Sequence, residues 1–290
     1  MSRDLLTFIG FIFGSIIGSF LNVLIFRLPK EESIVSPPSH CPQCGYRIPP
    51  WQNIPILSYL FLRGKCHSCG NKISIQYPLI EFLSGLIAAI AIWTMGLNWA
   101  AVSLIIFIYL LGVMTIIDIR YRIIPDTITI SGIILGIILT SLQYPGVSGL
   151  VQSVLGVIIG GGSLYLIALF GDWLFKKESM GGGDIKLAGM FGAFLGWKLT
   201  LLGLFFGFVV GAIYGGIMIA LNKLQSDTAN SGGNQTVSGI AGGSDTTTDD
   251  PLDSAQSATA IPFGPALGVG ALLSLFWGEA LLRWYLTTFF

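Results

Sequence analysis

The chain has 290 residues, of which 53% are hydrophobic and only 10% charged, with 15 basic against 15 acidic residues. A water-soluble domain carries about 25% charged residues, so this composition excludes a soluble globular protein, and zero net charge offers no basic face for nucleic acid. The expectation is an all-α polytopic membrane protein, whose 38 glycines suit close helix packing in lipid.

Apolar runs predict about eight transmembrane helices, at residues 5–26, 79–95, 98–118, 127–142, 150–171, 185–197, 199–221 and 264–282. The first follows "MSRDLLTF" and has no small-residue cleavage site before Arg27, so it reads as a retained helix rather than a signal peptide. The sixth is too short to span upright, which suggests a tilted or partly re-entrant segment. With the N-terminus outside, the inner segments hold 12 Lys and Arg residues and the outer ones three, Arg3, Lys198 and Arg283. This is a positive-inside bias. It puts two long loops in the cytoplasm. Residues 27–77 are polar, Pro-rich and hold all four cysteines. Residues 225–260 are rich in Ser, Thr, Gly and Asp and lack Lys and Arg, the composition of a disordered insert.

The cysteines read "CPQCG" (Cys41, Cys44) and "CHSCG" (Cys66, Cys69). Two C-x2-C knuckles supply four thiolates, the ligand set of a closed, structural zinc site. Two disulfides are the competing reading, and a reducing cytosol argues against them. His40 and His67 flank the knuckles as exposed loop residues or substitute ligands.

Two acidic residues flank membrane helices on the same inner face. Asp118 ends the third predicted span, and Asp184 follows Gly181, Gly182 and Gly183 and opens the sixth. If the two meet, they share a proton, so that one activates water and the other donates to a peptide carbonyl. The three glycines then leave room for a substrate strand, with backbone angles closed to other residues available to them. Other readings stand beside this one. Asp118 could pair with Arg120 or Arg122, and Asp184 could cap the helix after it. Asp126 reads as an N-cap after Pro125, and Asp172 and Glu178 as solvated loop charges. Glu81 is an interfacial or a functional carboxylate. A transporter with Asp118 and Asp184 as a proton relay is the alternative function; it leaves the knuckles unexplained.

Seven ordered blocks resemble the bifunctional type IV prepilin peptidases of the GxGD aspartyl protease group. They are "GSFLNVLIFRLP" (18–29), "CPQCG", "NIPILSYLFLRGKCHSCG" (53–70), "YPLIEF" (77–82), "IDIRYRIIPD" (117–126), "GGGDIKL" (181–187) and "FGPAL" (263–267). The resemblance implies an inner-membrane enzyme that cleaves the leader of prepilins and pseudopilins on the cytoplasmic side. It then methylates the new N-terminus with S-adenosylmethionine. It implies Asp118 and Asp184 as the catalytic pair, Gly181 and Gly183 as the GxGD glycines, and a zinc loop tied to methylation. Residues 1–98 then form the methyltransferase half and 99–290 the peptidase half. No list of S-adenosylmethionine ligands comes with the resemblance, and Glu81 and Asn22 are the candidates. The chain departs from the family at Gly182, where a bulkier residue is frequent, at "FGPAL", where "FGPFL" is common, and in the insert at 225–260.

Overall fold

A computed structural model describes residues 2–144, 146–176, 180–231 and 263–289. Among the described residues, eight α-helices follow in chain order: α1 (Arg3–Arg27), α2 (Leu57–Phe61), α3 (Gln76–Met95), α4 (Trp99–Tyr121), α5 (Asp126–Gln143), α6 (Val147–Phe175), α7 (Gly182–Ser231) and α8 (Gly264–Phe289). All except α2 are long and apolar enough to cross a membrane. Among the described residues there is no strand, only two isolated β-bridges in the cysteine loop.

The helix α7 is two predicted spans joined at Gly196, where φ 72° and ψ 169° break the helical path. The backbone of Ala188 and the side chain of Thr200 both lie against Gly160 of α6. Twelve residues of straight helix would separate them by about 18 Å, so the chain doubles back at Gly196. The first arm is therefore short, as expected for the sixth predicted span. The break frees carbonyls that lipid cannot satisfy. Thr140 and Ser153 each donate a hydroxyl to the Ala193 carbonyl at 2.9 Å, and Thr200 donates to that of Gly196 at 2.8 Å.

Lipid gives helices no hydrophobic reason to associate, so close backbone packing must do it. Gly10, Gly14 and Gly18 of α1 lie against Ile92, Ala88, Ser84 and Glu81 of α3. Gly156 of α6 meets Gly192 of α7 backbone to backbone. After the break, Gly203, Gly207 and Gly211 receive α8 along Ser274, Leu267 and Phe263. Large apolar side chains such as Phe8, Phe13, Leu166 and Phe205 point outward, as a lipid-facing belt requires. The buried core gathers Phe107, Leu111, Met114 and Ile117 of α4 with Leu187, Met190 and Phe191 of α7 and Leu267 of α8.

Two expectations need correction. Residues 225–231 continue α7 as helix rather than beginning a disordered insert, and residues 232–260 lie outside those described. The loop of residues 27–77 is not uniformly polar. Its middle folds into α2 and exposes Trp51, Leu57, Leu60 and Phe61.

Candidate functional site

Asp118 sits in the last turn of α4 and Asp184 in the first turn of α7. The helices run in opposite directions, and a tilted ring contact between Phe107 and Phe194, with centroids 5.1 Å apart, sets their register. From that contact, Asp118 is eleven residues along α4 and Asp184 ten residues back along α7, or about 16 and 15 Å of helix rise. Phe107, Leu111, Met114 and Asp118 occupy one buried stripe of α4, at helical spacing. Asp184, Leu187, Ala188 and Phe191 form the matching stripe of α7. The two carboxylates thus reach the same depth on facing stripes.

Their partners differ. The Gly264 N–H at the start of α8 donates to Asp118 Oδ2 at 3.0 Å. A Cβ at Gly264 would stand 2.5 Å from that oxygen, so only glycine allows the contact. Asp184 Oδ1 is buried with no hydrogen-bond partner. The capping alternative does not hold for Asp184, because α7 already begins at Gly182. Arg120 turns away from Asp118 to donate to Gln76 and lies 5.7 Å over the Phe26 ring.

None of Gly181, Gly182 and Gly183 has a positive φ. What they supply is the missing side chain rather than unusual backbone angles. Gly183 approaches Ile124 so closely that a Cβ would overlap it, while Gly182 faces open space. Asp126 is not an N-cap. Its carboxylate pairs with Lys186 at 2.6 Å and so ties the start of α5 to the first turn of α7.

The knuckles are built alike. Cys41 N–H donates to the Tyr46 carbonyl at 2.9 Å, and Cys66 N–H to that of Asn71 at 2.8 Å. Gly45 and Gly70 both stand at φ 71°, a left-handed turn that favours glycine. The four Sγ atoms lie within 4.8 Å of one another, and Cys41 and Cys69 are 3.9 Å apart. A tetrahedral ion with bonds of about 2.3 Å sets its sulfurs about 3.8 Å apart, whereas a disulfide needs about 2.0 Å. All four cysteines are free. Backbone N–H groups of Cys44 and Gln43 bring the Cys41 thiol down to about 6. At Cys69 the Asn71 N–H favours the thiolate, but burial and the three neighbouring thiols outweigh it and push the group up to about 11. Four sulfurs gathered this closely form a group that could hold a metal ion.

A third polar group lies along the α1–α3 seam. Asn22 is buried, donates to the Gly18 and Tyr77 carbonyls, and leaves Oδ1 without a partner. One turn away, buried Glu81 accepts the Ile56 N–H at 2.7 Å. Sequence reasoning missed the Gly264 contact and the Asp126–Lys186 pair. "FGPAL" marked the first as a block without saying what it touches, and nothing local signals the second.

A multi-pass helical bundle with two carboxylates at one boundary and a four-thiol knuckle defines a membrane-embedded enzyme of the aspartyl type. Residues 12–95 match the Bacterial Peptidase A24 N-terminal domain, and residues 105–216 match the Type IV leader peptidase family. The chain is 33% identical over 300 residues to the Prepilin leader peptidase/N-methyltransferase of Pseudomonas aeruginosa, covering 94% of this chain and 91% of the relative. It is 32% identical over 308 residues to the protein of that name from Aeromonas hydrophila, covering 96% and 93%. With that of Myxococcus xanthus identity is 37% over 210 residues, covering 72% and 62%. The chain belongs to the type IV leader peptidase family. No solved structure matches it. These relatives leave the transporter reading without support.

Proposed function

We propose that this protein cleaves the leader peptide of prepilins or pseudopilins at the cytoplasmic face of the inner membrane and then N-methylates the new terminus. The observation that carries this reading is the convergence of Asp118 and Asp184 at one depth, from helix ends 66 residues apart in sequence. Asp118 is held by the Gly264 N–H and acts with Asp184, one carboxyl ionised and one protonated. The ionised group takes a proton from water as the water attacks the scissile carbonyl, and the protonated group donates to the carbonyl oxygen. Gly181, Gly182 and Gly183 leave the approach to Asp184 clear for an extended substrate backbone.

The N-terminal half, residues 1–98, carries methylation and residues 99–290 carry cleavage. Cys41, Cys44, Cys66 and Cys69 hold a structural zinc ion, a role supported by the spacing of their sulfurs. Asn22 and Glu81, buried and polar on the α1–α3 seam, are the residues proposed to hold S-adenosylmethionine, which supplies an electrophilic methyl group when bound. The free Asn22 Oδ1 supports that role. The excess of Lys and Arg on one side supports a cytoplasmic loop and active site.

The test is incubation of the full-length protein in vesicles with a prepilin and S-adenosylmethionine, followed by mass analysis. The expected product lacks the leader and is one methyl group heavier. An intact prepilin would reject the peptidase reading, and a shortened but unmethylated product would reject the methylation half alone.

A further inference from the structure

The cysteine loop exposes large apolar side chains that no part of the described chain covers. Trp51 is 71% exposed, Leu60 64% and Phe61 83%. In α2, residues Leu57, Leu60 and Phe61 stand at i, i+3 and i+4, which is one helical face, while Tyr59 turns the other way and packs on Gly64.

The depth of this segment follows from its anchor. The Ile56 N–H donates to Glu81 Oε2 at 2.7 Å. Glu81 is the sixth residue of α3, about 8 Å along the axis from Gln76. With 20 residues, α3 is about 30 Å long, barely the thickness of the hydrocarbon core. None of it is spare to project into water, so Ile56, held to a residue one and a half turns inside α3, lies no farther out than the boundary between headgroups and acyl chains. The chain reaches that level through a γ-turn. Leu57 N–H donates to the Pro55 carbonyl at 2.6 Å, with Ile56 at φ 62° and ψ −51°. A β-branched residue rarely occupies that conformation, and the buried carboxylate is what holds it.

Charge supports the same placement. Residues 33–80 contain four basic residues, Arg47, Arg63, Lys65 and Lys72, and no acidic one; all four are exposed. On α3 beside Glu81, Leu79, Phe82 and Leu83 are exposed to lipid, so the apolar face of α2 continues an established belt.

We propose that residues 51–61 insert into the bilayer interface, with Trp51, Leu57, Leu60 and Phe61 among the lipids and the four basic residues over anionic headgroups, so that the cysteine knuckles are docked on the membrane surface.

The full-length protein, with p-benzoylphenylalanine in place of Phe61 or of Gln43, is reconstituted in phosphatidylethanolamine–phosphatidylglycerol vesicles and irradiated with and without prepilin. Gln43 is the exposed knuckle control. The expected result is lipid adduct at position 61 in clear excess over position 43, whether or not prepilin is present. No excess at 61, or an adduct there mainly with prepilin or a second copy, overturns the proposal. A second readout covers a variant that misfolds. The fluorescence component lost in Trp51→Phe is expected to be quenched by lipids carrying a shallow nitroxide. If only a water-soluble quencher reaches it, the proposal fails.

Discussion

Asp118 and Gly264 are in contact and Asp184 lies at the same depth, and the three respond differently to substitution. Asp118→Asn and Asp184→Asn keep the shape and remove the proposed acid–base pair, so each is expected to lower leader cleavage by roughly 10²- to 10⁴-fold without changing the yield of folded protein. A mass-resolved cleavage assay checks this, and normal cleavage by both variants would dismiss the pair. Gly264→Ala tests the geometry rather than the chemistry. Its methyl would meet Asp118 Oδ2, and a displaced catalytic group costs on the order of 10²-fold. The expected outcome is a large fall in the cleavage rate constant with little change in thermal stability. The Asp126–Lys186 pair is about half exposed, and such pairs contribute about 0–1 kcal/mol. Lys186→Ala should therefore shift the melting temperature only slightly, whatever it does to the alignment of Asp184.

Among the elements, the crossing of α6 and α7 is the least tolerant. A Cβ on either Gly156 or Gly192 would occupy the space of the opposing backbone. In lipid, close backbone contact is itself what holds helices together. Gly192→Val is expected to abolish monodisperse folded protein in detergent, as read by size exclusion. Gly112→Ala is the matched control, because nothing stands within 4 Å of that position. Two equal elution profiles would refute the crossing. The same crossing holds Asp184 in place, since the first arm of α7 is braced through Ala193 by Thr140 and Ser153.

Across the whole molecule, the two halves meet through α4. Its Tyr109 hydroxyl donates to the Ser84 carbonyl of α3, while its other end carries Asp118. The knuckles lie far along the chain from the carboxylates and belong to the α1–α3 half. Cys41→Ser and Cys69→Ser are each expected to lower bound zinc from one equivalent and to reduce methylation more than cleavage. Metal analysis and product masses on the same preparation check both points. Equal losses of the two activities would make the loop a general scaffold.

Much of this architecture was legible in the chain because lipid imposes one-dimensional rules. A span needs a certain length of apolar residues, and basic residues stay on one side. The places of the long apolar helices, the break near residue 196 and the four-thiol site could be read from runs and spacings; the short α2 could not, and two of the eight predicted spans are one broken helix, leaving seven membrane-capable helices. Local pattern also singled out Asp118 and Asp184. Their shared depth was an inference from topology, and the Phe107–Phe194 register is what gives it a geometry. Only the tertiary structure decided what meets them, the Gly264 N–H at Asp118 and no partner at Asp184 Oδ1. Those contacts join residues far apart in sequence, and no periodicity encodes them. Only the fold, too, made Asp126 an ion-pair partner rather than a cap and drew residues 51–61 toward Glu81. A single hydrogen bond across 25 residues leaves no trace in composition, yet it sets how deep a polar loop sits.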